Sequence, residues 1–169
     1  MEMIRNKKSD ILTFVIPGNP ISKQSLRVSV QTNKDGSPVL ELTKNKKTRV
    51  KIYKYQPKNV QNDSAYIKWC FASQRPFGFE LWSSPIAVLK LHFIFSHTKE
   101  SKKLQLKLGD QIIYKNSKPD LQDNLSKALF DAMNGIIFFD DKQIVSMDNV
   151  KKYFGDTPQT ILTIRKLQD

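Results

Sequence analysis

One cysteine, Cys70, is all that the chain of 169 residues contains. That scarcity excludes an internal disulfide and any zinc site built from several cysteines. Histidine is nearly as rare. His92 sits inside an apolar stretch, where it reads as a sheet-face histidine, and His97 follows in a polar one. Neither forms a Ser-His-Asp or Cys-His pattern, and no glycine-rich loop is present to cradle a phosphate. No run approaches the roughly 18 consecutive apolar residues needed to cross a bilayer. The opening MEMIRNKKSD carries basic residues but no apolar core of a secretory signal, and residues 1–10 read as a flexible N-terminus. Together these absences predict a cytoplasmic protein with no membrane segment and no small-molecule organic cofactor.

Acid is missing where base is dense. Between Thr43 and Lys58 there is no Asp or Glu, yet Lys44, Lys46, Lys47, Arg49, Lys51, Lys54 and Lys58 fall there. The formal net charge is +12. A surplus of Lys and Arg raises affinity for polyanions through counterion release, which points to nucleic acid. In RVKIYKY, Arg49, Lys51, Tyr53 and Lys54 form a basic and aromatic stretch suited to tracking DNA and stacking on unpaired bases. Lys23 and Arg27 in SKQSLR, and Lys102 and Lys103 further on, are candidate phosphate contacts.

The length suits one domain. ILTFVI (11–16) reads as a buried strand, and VSVQT and PVLELT flank NKDGS as a hairpin. RVKIYKY reads as a strand or extended arm. Residues 58–74 carry helical apolar spacing, and SPIAVLKLHFIFS (84–96) is the strongest strand. Residues 97–118 read as a basic, polar excursion with a short helix near SKKLQLKLG. A helix over 120–133 ends at Asn134-Gly135, and IIFF, QIVSMDNVKKYF and TILTIRKL supply further strands. The order implies an α/β (α+β) fold, a mixed sheet with helices packed against it.

Carboxylates, sparse elsewhere, collect between Asp120 and Asp148, where six aspartates accompany only Lys127 and Lys142. At 100° per residue, Leu125, Ala128, Leu129 and Ala132 form an apolar stripe spanning about 100°. Asp123, Lys127 and Asp131 lie opposite, and Asp120 in the first turn can share their face. Helix capping, the macrodipole and i,i+4 pairing explain such a helix without further function. FFDDKQ adds Asp140 and Asp141 directly after an apolar segment read as a buried strand. Carboxylates held close repel unless protons or cations neutralise them. With oxygen donors only, the matching ion is hard, Mg²⁺ or Mn²⁺. An acidic pocket within a basic surface is the charge pattern of a metal-dependent nuclease, in which lysines hold the DNA while the ion polarises a phosphate and activates water.

KPDLQDNLSKALFDAMNG followed by FDDKQI resembles the RusA family of Holliday junction resolvases of bacteria and their prophages, whose pattern is approximately P-D-x-D-N-x-x-K-x-x-x-D-A-L-N-G and then D-D-x-Q. IPGNPISKQSLR is more loosely similar to the family's N-terminal turn. The resemblance implies a small homodimeric, Mg²⁺-dependent endodeoxyribonuclease that nicks opposing strands of a four-way junction in DNA recombination and repair. It implies metal ligation by Asp120, Asp123, Asp140 and Asp141, and catalytic roles for Asp120, Asp123, Lys127 and Asp141. Asn124, Asp131 and Gln143 also match motif positions. The chain departs from the pattern in one place: Leu121 and Gln122 both stand between the first two acids, where the family has one residue. The alternative is a non-catalytic or weakly active protein that binds branched DNA.

Overall fold

Alternation of Leu12, Phe14 and Ile16 with Ile11, Thr13 and Val15 puts one set of side chains in the core and the other in water. This is β1, Ile11–Pro17, in a computed structural model that describes residues 10–22, 27–55 and 58–168, with the side chains of residues 27–28 and 53–60 outside that description. There follow β2 (Arg27–Val30), β3 (Leu40–Leu42), β4 (Thr48–Val50), β5 (Ile52–Tyr55) and α1 (Lys58–Gln74). After β6 (Ile86–Ser96) and α2 (Lys99–Leu108) comes a π-helical turn, Leu121–Ser126, running directly into α3 (Lys127–Met133). A 3₁₀ turn, Asp141–Gln143, leads into β7 (Ile144–Met147), then β8 (Val150–Gly155) and β9 (Gln159–Lys166). The chain divides into two compact units, residues 1–23 with 64–169, and residues 24–63.

In the larger unit the sheet order is β1-β9-β6, with β7 and β8 both pairing with β6. β1 and β9 are antiparallel, as are β9 and β6, whereas β7 and β8 run parallel to β6. The mixed α+β sheet expected from the sequence is therefore present. β6 is the central strand, and Ile86, Val88, Leu91 and Phe93 are almost wholly buried along it. Ile67, Cys70 and Phe71 of α1, Leu125, and Leu129 and Met133 of α3 join the same core. The Gln74 amide clips α1 to the edge strand, accepting from Val15 N at 2.9 Å and donating to Val15 O at 2.8 Å.

The smaller unit is a ribbon of paired strands. The glycine-bearing turn at residues 33–37 forms as expected, with Gly36 at φ 84° and an isolated bridge between Thr32 and Pro38. Beyond that bridge the partners change: β2 pairs with β5 and β3 with β4. The arm read from RVKIYKY is accordingly two short strands, broken at Lys51.

The short helix expected near SKKLQLKLG forms as α2, opened by a capping box between Thr98 and Ser101. One expectation needs correction. Residues 136–139 are not a strand. Gly135, at φ 73°, turns the chain so that Ile136 N and Ile137 N both donate to Met133 O at 3.0 Å. Only Phe138 makes strand-like bridges, one of them to Trp82. Ile137 and Phe138 are fully buried while Phe139 points outward, 63% exposed. Local turn chemistry outweighed the β propensity of four apolar residues. Among the described residues, no helix is long and apolar enough to cross a membrane.

Candidate functional site

The approach to Asp120 runs beside β8. Phe154 N donates to Ile113 O, Lys115 N donates to Lys152 O, and Tyr114 bridges Tyr153. Lys152 of β8 then holds the loop before Asp120: its Nζ donates to Ser117 O at 2.9 Å and to Pro119 O at 2.8 Å. Lys115 Nζ donates to Ser117 Oγ at 2.6 Å and lies 5.2 and 5.4 Å from the ring centroids of Phe95 and Phe154. Burial, then the charge of Lys152, pull the Lys115 ammonium below the usual lysine range. Sequence reasoning missed both lysines, since neither lies in a recognisable motif and their partners are set by the pairing of this loop with β8.

Asp120 is extended, at φ −69° and ψ 145°, and its Oδ2 accepts from Asn124 Nδ2 at 3.2 Å. Here the predicted α-helix over 120–133 needs a further correction, because its first half is a π turn. Lys127 N reaches Gln122 O, and Ser126 Oγ donates to Leu121 O at 2.8 Å. A π turn holds one more residue per hydrogen-bonded ring than an α turn, and such bulges concentrate at functional sites. It falls on the segment where Leu121 and Gln122 replace a single residue of the family pattern. Across the wide turn and α3, Leu125, Leu129 and Ala132 all reach the core. The cost is that Asp123, which is exposed, lies in the π turn, so α-helical arithmetic does not carry from it to Lys127. Within α3 that arithmetic holds: Lys127 Nζ is 4.0 Å from Asp131 Oδ1.

Asp140 caps and Asp141 opens the 3₁₀ turn, which comes near α3. Asp140 caps this turn: its Oδ1 accepts from Lys142 N at 3.0 Å and its Oδ2 is 3.6 Å from Lys142 Nζ. The backbone N–H of Lys142 is the main reason its carboxyl is held below the usual range, partial burial opposing and the lysine charge assisting. Asp141 is half-buried at the start of the turn.

The structure thus joins Asp120 to Asn124, Lys127 to Asp131 and Asp140 to Lys142. It sets the turn bearing Asp140 and Asp141 against the helix that begins at Lys127. Among the described residues, no three His, Cys, Asp or Glu side chains form a group able to hold a metal ion by themselves. Carboxylates are nonetheless the right donors for a hard cation, and Mg²⁺ is usually held by only one or two of them, with water and substrate phosphates completing its shell.

Of the candidate DNA contacts, Lys51, Lys102 and Lys103 are exposed. Arg49 is exposed too, but its Nε lies 2.7 Å from Glu41 Oε1 on the facing strand, which offsets its charge. Lys23, and the side chains of Arg27, Tyr53 and Lys54, lie outside the described residues.

Comparison with known proteins gives two findings. The chain is similar to the uncharacterized protein YqaN of Bacillus subtilis (strain 168), 22% identical over 158 residues that cover 94% of this chain and 98% of that protein. The family model described as Endodeoxyribonuclease RusA matches residues 35–165, which include the π turn, α3 and the 3₁₀ turn. The chain therefore belongs to the RusA family of endodeoxyribonucleases, hydrolases that act on DNA.

Proposed function

We propose that the protein is a Mg²⁺-dependent, structure-specific endodeoxyribonuclease that resolves four-way DNA junctions by paired phosphodiester hydrolysis. Membership of the family implies Holliday junction endodeoxyribonuclease activity and binding of branched DNA. The observation that carries the finer reading is the packing of the 3₁₀ turn bearing Asp140 and Asp141 against α3, whose first residue is Lys127 and whose preceding π turn carries Asp123.

Asp120, Asp123, Asp140 and Asp141 are the candidate ligands, of which one or two would hold the ion, Mg²⁺ or Mn²⁺, with water and phosphate oxygens completing its shell. Bound there, Mg²⁺ would supply charge neutralisation at the phosphate and a more acidic water. Asp140 commits Oδ1 to Lys142 N, and its Oδ2 would exchange the Lys142 ammonium, 3.6 Å away, for the ion. Lys127, half-exposed, is the cation within this motif that can meet a phosphate oxygen and stabilise the charge that develops as the bond breaks. Exposed Lys51, in the smaller unit, and Lys102 and Lys103, in the larger, are each candidate contacts to DNA phosphates. Paired cuts in a substrate of approximate two-fold symmetry call for two sites related by a dyad, hence a homodimer acting in the cytoplasm of a bacterium or phage-infected host.

The test is incubation of the purified protein with a labelled four-way junction, in Mg²⁺ and then in EDTA. Symmetrical nicks in Mg²⁺ alone are expected, and Asp123→Asn should retain junction affinity while losing cleavage. Binding without cleavage in Mg²⁺ or Mn²⁺, or full activity of Asp123→Asn, would overturn the reading.

A further inference from the structure

Gln143 matches the family motif by position, but only the fold gives its amide a task. Its Oε1 accepts from Phe139 N at 2.9 Å and from Asp140 N at 3.1 Å. Its Nε2 donates to Trp82 O at 2.8 Å and to Ser84 O at 3.1 Å. A primary amide has two donor hydrogens and an oxygen with two lone pairs, so all four capacities are spent on main chain. The partners come from two places 59 and 61 residues away and from the loop that carries the acids. Trp82 and Ser84 are themselves fixed: both are buried, Trp82 N donates to Ile137 O, and Ile86 opens the central strand two residues after Ser84. Gln143 therefore ties the backbone of Phe139 and Asp140 to the rigid base of β6.

We infer that Gln143 is the positioning residue of the proposed nuclease site. It orients Asp140 and Asp141 by clamping the backbone that precedes them, and it touches neither the DNA nor the reacting atoms. Two features separate this from general packing. No other residue type of this length offers both a double acceptor and a double donor, so shape alone cannot replace it. The clamp also acts where Asp140 changes direction: its own carboxylate caps the turn that Gln143 closes, and the two side chains form a reciprocal capping box. Loss of the amide frees the turn at both ends.

The inference rests on the nuclease reading, so the experiment keeps the two apart. Gln143→Met preserves length and removes all four hydrogen bonds. Gln143→Glu keeps both acceptors but turns a carboxylate oxygen toward two carbonyls, a repulsion relieved only when the acid is protonated. Gln143→Met is expected to bind a four-way junction in EDTA within about twofold of wild type. Its single-turnover cleavage in Mg²⁺ should fall by about 100-fold, the scale of an ångström of misplacement. Exchange of the Phe139 and Asp140 amide hydrogens should quicken by about tenfold or more. For Gln143→Glu, which keeps both acceptors but loses both donors, cleavage should fall as well, while the Phe139 and Asp140 amides stay better protected than in Gln143→Met.

Unchanged cleavage and exchange in Gln143→Met, or wild-type cleavage by Gln143→Glu, would overturn the inference. If Gln143→Met does not fold, cleavage and amide exchange of Gln143→Glu decide. Should wild type cut no branched DNA, the nuclease reading falls, and exchange at Phe139 and Asp140 still reports on the clamp.

Discussion

Replacing Lys152 by Met removes the two hydrogen bonds from its Nζ to Ser117 O and Pro119 O while keeping most of its apolar stem. A hydrogen bond to a charged group contributes about 1.5–3 kcal/mol when sheltered. The Ser117 bond is exposed, and Lys115 still holds Ser117 through its hydroxyl, so that bond is worth the least. The loss falls mainly at Pro119, next to Asp120, at about 1–2 kcal/mol in total. Such a loss multiplies the open population of the loop by roughly 5–30. Exchange of the Lys115 amide, which donates to Lys152 O at 3.1 Å, should quicken by up to that factor, with little change in the global unfolding midpoint because the segment is a loop. Junction cleavage should weaken more than junction binding. The Lys115 ammonium gives an independent readout: without the neighbouring charge that helps to depress it, its pKa should move back up, as measured by nitrogen NMR of the side chain. If loop exchange and cleavage both match wild type, Lys152 does not hold the approach to Asp120.

Three further expectations rest on the same structure. A Cβ on Gly155 would lie 2.7 Å from Ile94 Cγ2, a branched methyl fixed in the sheet, so Gly155→Ala should cost about 1–3 kcal/mol in urea denaturation, and equal stability would contradict the packing there. His92 is held below its usual pKa of 6.5, first by burial and then by the charges of Lys90 and Lys151, with a hydrogen bond involving Asn149 opposing. The fold therefore prefers neutral His92 while the unfolded chain protonates near 6.5, so stability should fall as pH drops below that value, and His92→Gln should flatten the fall in a thermal melt. Lys102→Ala with Lys103→Ala should make the dependence of log affinity for DNA on log salt shallower by about 2, and an unchanged slope would remove α2 from the DNA contact.

Much of the architecture was legible because it depends on local pattern. The alternation of β1, the apolar density of β6 and the helical spacing of α1 are one-dimensional signals, and each element formed close to where it was expected. Residues 136–139 misled because apolar content reports burial rather than backbone shape: Ile137 and Phe138 are indeed buried, but in a turn. The swap of partners after the turn at residues 33–37 was invisible for a related reason. Sequence marks a turn, but which strands lie side by side depends on contacts made elsewhere.

The site divides along the same line. The sequence alone determined the residue types present: clustered carboxylates, a lysine one turn from Asp131, and a basic chain suited to a polyanion. Only the tertiary structure decided how these residues are held. The π turn that carries Asp123, the Lys152 bonds that tether the approach to Asp120, and the Gln143 amide that ties Asp140 to the base of β6 all depend on three-dimensional pairing. Charge and donor type belong to each residue wherever it sits, whereas direction and distance arise only when segments dozens of residues apart share one sheet and one core.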